Sequence, residues 1–363
     1  MEVCPLPAVR FPASSLRYRP SSFRATKLQL CYASSSSTKE IPPFGHEERN
    51  INEKQMMFIM GLGFVGEFVA KNLINQGWDV SGTCTSVAKM DRLKKLGLNL
   101  HLFDANHPKL EVLDIMNEHT HLLVSIPPCK DIGDPMLQHA ELLRRKLGNE
   151  RLQWLCYLST TGVYGDCGGA WVDENYQPNP PSELAKLRLA AEEGWLTLGR
   201  ELGLAAHVFR LGGIYGPGRS AIDTIIKRGP LSDAQSVRSF KKYTSRVHVA
   251  DICNALNASI QNPFPGRIYN IVDDDPAPRT EVFSYAHKLY SEKWPSQIKN
   301  VVSPAPVTNK SSTKVGRLKG DKRVVNERMK KELGVRLIHP SYRSGLQSIC
   351  DQMHDFPTLS PGE

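Results

Sequence analysis

The sequence predicts an α/β fold in which a doubly wound parallel sheet is covered by a small C-terminal lobe. Three observations carry that expectation. From Met56 to Phe209, short apolar runs alternate with amphipathic stretches. A Gly-x-Gly-x-x-Gly string stands between the first run and the first amphipathic stretch. After Arg210 the alternation loosens, and Pro, Gly and Ser become frequent. Strands that alternate with helices are joined by right-handed crossovers, which build a parallel sheet with helices on both faces.

Each element has its own signal. Met56–Met60 is a compact apolar run. Phe64–Gln76 then places Val65, Phe68, Val69 and Leu73 at helical spacing, and Gly77 ends it. Trp78–Thr83 reads as a second strand. Ser86 stands where a cap is needed for a helix over Val87–Leu96. Asn99–Phe103 reads as a strand, Pro108–His119 as a helix and Thr120–Ile126 as a strand. A helix over Pro135–Leu147 aligns Leu137, Ala140, Leu143 and Leu147. Leu152–Ser159 and Leu204–Phe209 read as strands on either side of a long helix, Ser182–Leu202. Beyond them, Ala221–Arg228, Asp251–Ile260, Thr280–Leu289 and Val325–Leu333 read as short helices and Arg267–Val272 as a strand. The expected organisation is a leader over residues 1–50, a sheet domain over 51–220, a lobe partly interleaved with the sheet over 221–350, and a tail over 351–363.

The net charge of +9 on 363 residues hints at an anionic partner. Its distribution narrows that hint. The first fifty residues carry seven basic and four acidic side chains, with eight serines and no acid between Glu2 and Glu40. Arg-rich, Ser-rich and acid-poor composition is that of an organellar transit peptide, here of the plastid type, with a cleavage point between Cys31 and Asn52. The alternative is a tail with no targeting role. The rest of the chain carries no basic run interleaved with aromatics, so no nucleic-acid partner is expected. No window of 18 apolar residues exists, so no membrane span is expected. The eight cysteines include no Cys-x-x-Cys pair and no zinc-ligand spacing. No metal is therefore expected, and the compartment is a reducing one, the plastid stroma.

Gly61, Leu62, Gly63, Phe64, Val65 and Gly66 form the expected phosphate-binding loop, because the string follows a strand and opens a helix. The first glycine permits the tight turn, the second lets backbone approach a pyrophosphate, and the third lets helix and strand pack closely. Helix N-terminal N–H groups hold the anion. In this Rossmann-type arrangement an acid ending the second strand binds the ribose 2′-hydroxyl of NAD. Val80–Ser86 contains no acid, whereas Thr83, Thr85 and Ser86 offer hydroxyls to a 2′-phosphate and Lys89 follows one turn on. NADP is the expected cofactor, with NAD as the alternative.

The body, from about Met57 to Leu346, resembles the extended or atypical short-chain dehydrogenase/reductase superfamily, in its NAD-dependent epimerase/dehydratase group. The resemblance rests on Gly61–Gly66, Asp104 after the third strand, Ser159–Gly165, Arg210 with Tyr215–Gly218, Arg246–Asp251 and Tyr269-Asn-Ile. Within the superfamily the loop spacing is most similar to the YeeZ-like branch. The resemblance implies a cofactor contact at Asp104. It also implies catalysis by a Ser/Thr, a Tyr and a Lys four residues after the Tyr. A phenol with an ordinary pKa of about 10 must exchange a proton near neutrality, and a neighbouring ammonium makes that easier.

By position, Thr160 matches the Ser/Thr and Lys186 the Lys, the latter also serving the cofactor ribose. The Tyr position holds Ser182. A serine is less acidic and shorter, and after Pro180 and Pro181 it reads as a helix cap. Thr161 stands where dehydratase relatives keep an acid. Tyr164, following the fifth strand, is the candidate substitute phenol; Tyr176 is a further one, and His248 reads as a structural hydrogen-bonder. The resemblance places Arg210, Arg219 and Arg246 along a cleft that takes nucleotide sugars in relatives, so a small anionic substrate is expected. The alternative is that these arginines pair with Asp223, Asp251 or other acids and tie the lobe down. Relatives pair through helices on the sheet face, which leaves a homodimer as one alternative. Two functional readings follow: an NADP-dependent oxidoreductase or epimerase, or a dinucleotide-binding structural or redox-sensing protein without turnover.

Overall fold

A computed structural model describes residues 54–227, 241–296 and 321–353. The expected leader, its cleavage window between Cys31 and Asn52, and the part of the expected tail beyond Met353 lie outside the described residues. The first half alternates as read: β1 (Met56–Met60), α1 (Phe64–Asn75), β2 (Asp79–Cys84), α2 (Val87–Lys94), β3 (Asn99–Leu102), α3 (Val112–Met116), β4 (His121–Val124), α4 (Ala140–Leu147) and β5 (Trp154–Thr160). Next come β6 (Trp171–Val172), α5 (Glu183–Glu201), β7 (Ala205–Leu211), β8 (Gly213–Tyr215), α6 (Ala221–Lys227) and β9 (Arg246–His248). The chain continues through α7 (Val249–Gln261), β10 (Arg267–Ile271), α8 (Arg279–Lys293), β11 (Arg323–Val324), α9 (Glu327–Leu333) and α10 (Tyr342–Gln352).

Seven strands form one parallel sheet in the order β3-β2-β1-β4-β5-β7-β10. The order reverses between β1 and β4. Ligands of open α/β sheets bind at such a switch point, outside the carboxyl ends of the strands. One face is covered by α1 and α7, through Val65, Val69, Leu73, Ile252, Leu256 and their neighbours. The other is covered by α3, α4 and α5, through Leu113, Met116, Leu143, Trp195 and Leu198. Trp195 is fully buried and donates its Nε1–H to Asp134 at 2.9 Å, which satisfies its one polar atom. Each such large apolar side chain contributes on the order of 2–3 kcal/mol by leaving water. The lobe has its own core, in which α6, α8 and α10 gather Ile222, Ala286, Leu289, Leu346 and Ile349. Between α7 and α8 the chain supplies β10, the last strand of the main sheet.

Helix starts follow the cap signals. Ser86 accepts from the Lys89 N–H at 3.4 Å and Ser182 from the Ala185 N–H at 3.3 Å. Two expected helices are shorter. In place of Pro108–His119, only Val112–Met116 is helical, because the Asp104 carboxylate takes the Asn106 N–H at 2.9 Å and folds the preceding segment into a turn. In place of Pro135–Leu147, a 3₁₀ turn over Leu137–His139 precedes α4, since Asp134 accepts from the Met136 and Leu137 N–H groups. The pairs β6–β11 and β8–β9 had no signal in the sequence, being only two or three residues long with distant partners.

Candidate active site

The glycine loop is sterically committed. Gly61 has φ +98°, and a Cβ there would stand 2.8 Å from Ile126 Cγ1. A Cβ on Gly66 would stand 2.5 Å from the Gly61 carbonyl oxygen. Gly63 is exposed, with nothing within 4 Å of where a Cβ would stand. Leu62 and Val65 point into the core. The first helical bond runs from the Glu67 N–H to the Gly63 carbonyl at 2.9 Å, which leaves the N–H groups of Phe64, Val65 and Gly66 without intrahelical acceptors. Three backbone donors beside an open glycine, at the positive end of a helix, fit a pyrophosphate.

The second strand differs from expectation in one respect. Thr83 is 1% exposed, and its Oγ1 accepts from the Gly61 N–H at 2.8 Å while its carbonyl accepts from the Leu62 N–H at 2.8 Å. Thr83 therefore shapes the loop and does not face a 2′-phosphate. Thr85 and Ser86 are exposed, with Ser86 engaged as a cap. Lys89 and Arg92 both reach Glu67, at 2.8 and 3.0 Å. Burial raises the Glu67 pKa, but the two cations more than offset it and hold the carboxyl below its usual range. Arg92, in the second turn of α2, is a cation that reading Val80–Ser86 alone missed. Asp104 is exposed after β3; hydrogen bonds from the Asn106 N–H and from His107 keep it below the usual carboxylate range.

Thr160 ends β5, and its hydroxyl accepts from the Gly162 N–H at 3.1 Å. Ser182 is the cap of α5, in line with its reading from the prolines. Lys186 is exposed and paired with Glu183 at 2.7 Å. Tyr164 is fully buried; its phenol donates to Asn270 Oδ1 at 2.9 Å and accepts from Arg210 at 2.9 Å. Burial pushes that phenol up in pKa. Tyr164 is therefore a packing group and is corrected as an acid/base candidate. Arg210 needs the same correction. It is 3% exposed, and its Nε and NH2 groups bond both oxygens of the buried Glu192 at 2.7–3.2 Å. Ser159 also bonds Glu192. Arg210 thus ties β5, α5 and β7 together and does not line a cleft. Tyr176 is 40% exposed, and its ring stands edge-on to Tyr164 at 6.3 Å.

The other two arginines do line a cavity, of about 350 Å³, in the lobe beside the loop. Arg219 lies 5.3 Å above the Phe64 ring, and a Cβ on Gly216 would stand 3.2 Å from that ring, so the Tyr215–Gly218 turn packs on the first residue of α1. Arg246 donates through NH1 to the carbonyls of Thr244 and Ala277 at 2.7 and 2.8 Å. Among the described residues no carboxylate lies within 4 Å of the Arg219 or Arg246 guanidinium nitrogens. The acids expected to absorb them are engaged elsewhere. Asp223 accepts from Ser220 at 2.5 Å, and Asp251 from the Ile338 and His339 N–H groups. His248 caps α7 through Nδ1 at 3.2 Å from the Ala250 N–H, and burial pushes its pKa down to about 4. Among the described residues, no three His, Cys, Asp or Glu side chains gather as metal ligands, and no helix is long and apolar enough to cross a membrane.

Residues 136–272 match the NAD dependent epimerase/dehydratase family. Protein YeeZ of Escherichia coli (strain K12) is 28% identical over 220 residues, covering 59% of this chain and 76% of YeeZ. The solved structure of a functionally unknown conserved protein from Silicibacter pomeroyi DSS is 33% identical, with TM-score 0.65 over 82% of this chain and 98% of that one. UDP-glucuronic acid 4-epimerase from Bacillus cereus in complex with NAD has TM-score 0.60 at 16% identity, over 83% of this chain and 100% of that one, a likeness of fold.

Proposed function

The chain belongs to the NAD-dependent epimerase/dehydratase family, and on that premise we propose that it is an NADP-dependent oxidoreductase or epimerase acting on a small anionic substrate. The observation that carries this reading is Arg219 stacked over Phe64. It sets a cavity lined by Arg219 and Arg246 directly beside the dinucleotide loop. The N–H groups of Phe64, Val65 and Gly66 hold the pyrophosphate, and Thr85, Ser86, Lys89 and Arg92 favour a 2′-phosphate over a bare ribose. When bound, the nicotinamide supplies or accepts a hydride. Arg219 and Arg246 orient the anion, and Thr160 orients the substrate oxygen. The substrate is of nucleotide-sugar type. The composition of the first fifty residues supports import into the plastid stroma, which uptake of the full chain by isolated chloroplasts would test.

One specific feature favours a second reading, a dinucleotide-binding structural or redox-sensing protein. Ser182 is spent as a cap and Tyr164 is buried, so neither places a phenol at the reacting atoms. A crystal structure with NADPH separates the two. The enzyme reading expects an open pocket at nicotinamide C4, with a titratable group within about 3 Å of a fitted substrate oxygen. A C4 position packed by protein side chains sinks the enzyme reading, and failure to bind NADP or NAD sinks both.

A further inference from the structure

The dinucleotide loop is followed at once by an acid of the protein's own. Glu67 stands in the first turn of α1, one residue beyond Gly66, and its N–H makes the first helical bond to the Gly63 carbonyl at 2.9 Å. Its carboxylate holds two cations of α2. Lys89 Nζ lies 2.8 Å from Oε1, and Arg92 NH2 donates to Oε1 and Oε2 at 3.0 and 3.1 Å. Lys89 is fixed at its backbone as well, since its N–H donates to the Ser86 cap. Among the described residues no other carboxylate lies within 4 Å of either cation. The Glu67 side chain is 18% exposed and that of Arg92 58% exposed, so the arginine has room to turn toward a ligand while the acid stays in place.

An acid in the first turn of a helix is favoured by the helix dipole, and an exposed ion pair contributes little to stability. Here, however, the same helix end has to receive a pyrophosphate, so the acid adds negative charge where the ligand brings more. Burial works against that charge, but Lys89 and Arg92 more than offset it, and Glu67 is ionised at neutral pH. The two cations and the carboxylate therefore present a single net positive charge. A bare ribose brings no charge and leaves both pairs as they are. A phosphate monoester brings a charge of about −2. Two anions bonded to one ammonium stand at most roughly 6 Å apart, and like charges at that distance repel more strongly at a part-buried site than in water.

We propose that Glu67 is a built-in counterion that competes with the 2′-phosphate for Lys89 and Arg92, and so sets how strongly the site prefers NADP to NAD; this rests on reading the site as one for NADP. With a bare ribose, Glu67 keeps the two cations compensated, which lets NAD bind. With a 2′-phosphate, it withholds part of the attraction that the cations offer.

Fluorescence titration of the full chain at pH 7 with NADPH and NADH tests this, with thermal unfolding as the check that each variant is folded. Glu67→Gln keeps the shape and a hydrogen-bond acceptor and removes the charge. It is expected to bind NADPH roughly fivefold more tightly than the parent, or better, and NADH within about twofold of it. The gain should shrink as ionic strength rises from about 0.1 M to 1 M, because part-exposed charges are screened. Arg92→Gln removes a cation and should weaken NADPH severalfold with NADH unchanged, so the two variants move the preference in opposite directions. An equal change for both dinucleotides in Glu67→Gln would mean that the acid acts through the pyrophosphate loop they share, and overturns the counterion role. So does an NADPH affinity that fails to rise in Glu67→Gln or to fall in Arg92→Gln. A parent that binds NADH more tightly than NADPH overturns the NADP reading by itself; the counterion role is then still decided by whether Glu67→Gln shifts the preference toward NADPH.

Discussion

The Arg210 guanidinium and the Glu192 carboxylate form a fork-to-fork pair inside the protein, with both side chains almost wholly shielded from water. The pair joins β7 to α5, and through Tyr164 and Asn270 it extends to the turn after β5 and to β10. Removing one partner leaves a buried charge without its counterion, which costs roughly 3–5 kcal/mol. Glu192→Gln is therefore expected to lower unfolding free energy by about that amount in urea denaturation. A loss below about 1 kcal/mol would mean that water reaches Arg210. Replacing both residues together, as in Glu192→Leu with Arg210→Met, should cost much less than the single change, because no orphaned charge remains.

The glycine loop allows a sharper separation of binding from folding. Gly63 has open space around its missing Cβ, whereas Gly66 would meet the Gly61 carbonyl at 2.5 Å. Gly63→Ala should leave the thermal midpoint within a degree or two while weakening NADPH binding, since the methyl occupies the space a pyrophosphate approaches. Gly66→Ala should lower both, as α1 must move away from the loop. Fluorescence titration of NADPH alongside thermal unfolding checks the pair; unchanged affinity in Gly63→Ala would remove the dinucleotide from this loop.

How much of this was readable beforehand depends on how far apart the partners lie in the chain. Ser182 announced itself as a cap because two prolines precede it and an amphipathic run follows, all within one turn of helix. Ser86 did likewise. The Thr83 hydroxyl was assigned to a phosphate because the loop that consumes it lies 22 residues upstream. Arg210 was assigned to a cleft for the same kind of reason: Glu192 sits on another element, 18 residues away. A local signal did exist. Arg210 lies in Val-Phe-Arg-Leu, inside a strand that is apolar on both sides, and Glu192 falls on the same helix face as Trp195 and Gly199. Charges at core positions of adjacent elements call for each other. The burial of the Asp273 carboxyl had no such signal, since it arises only when β9 and β10 come together.

Histidine burial gives a pH dependence with a definite sign. His207 is fully buried on β7, its Nε2 accepts from the Phe264 N–H at 3.2 Å, and burial pushes its pKa down to about 4. The unfolded chain titrates the same imidazole near 6.5. A depressed folded value means that the stability of the neutral form is fully present above pH 6.5 and is lost as pH falls from 6.5 toward 4, because only the unfolded state takes up the proton. The loss from His207 alone is on the order of 3 kcal/mol. His248, also pushed down to about 4, acts in the same direction. The urea midpoint should therefore drop steeply between pH 7 and 5. His207→Gln, which keeps an acceptor but does not titrate, should flatten the slope; an identical slope in the variant would assign the effect to other groups.

Lys186 gives the most direct test of what remains of the family's catalytic pattern. Its ammonium pairs with Glu183 on the exposed first turn of α5, and such surface pairs contribute about 0–1 kcal/mol. Lys186→Ala should therefore leave stability within about 0.5 kcal/mol of the parent. If Lys186 swings from Glu183 to the nicotinamide ribose, as the family resemblance implies, the same variant should weaken NADPH binding roughly tenfold, since a hydrogen bond to a charged group contributes about 1.5–3 kcal/mol. Glu183→Gln, which frees the ammonium, should tighten binding or leave it unchanged. Should Lys186→Ala bind NADPH with the parent's affinity, the lysine is a solvated helix residue, and with Ser182 already spent as a cap only Thr160 of the catalytic trio would be left to act.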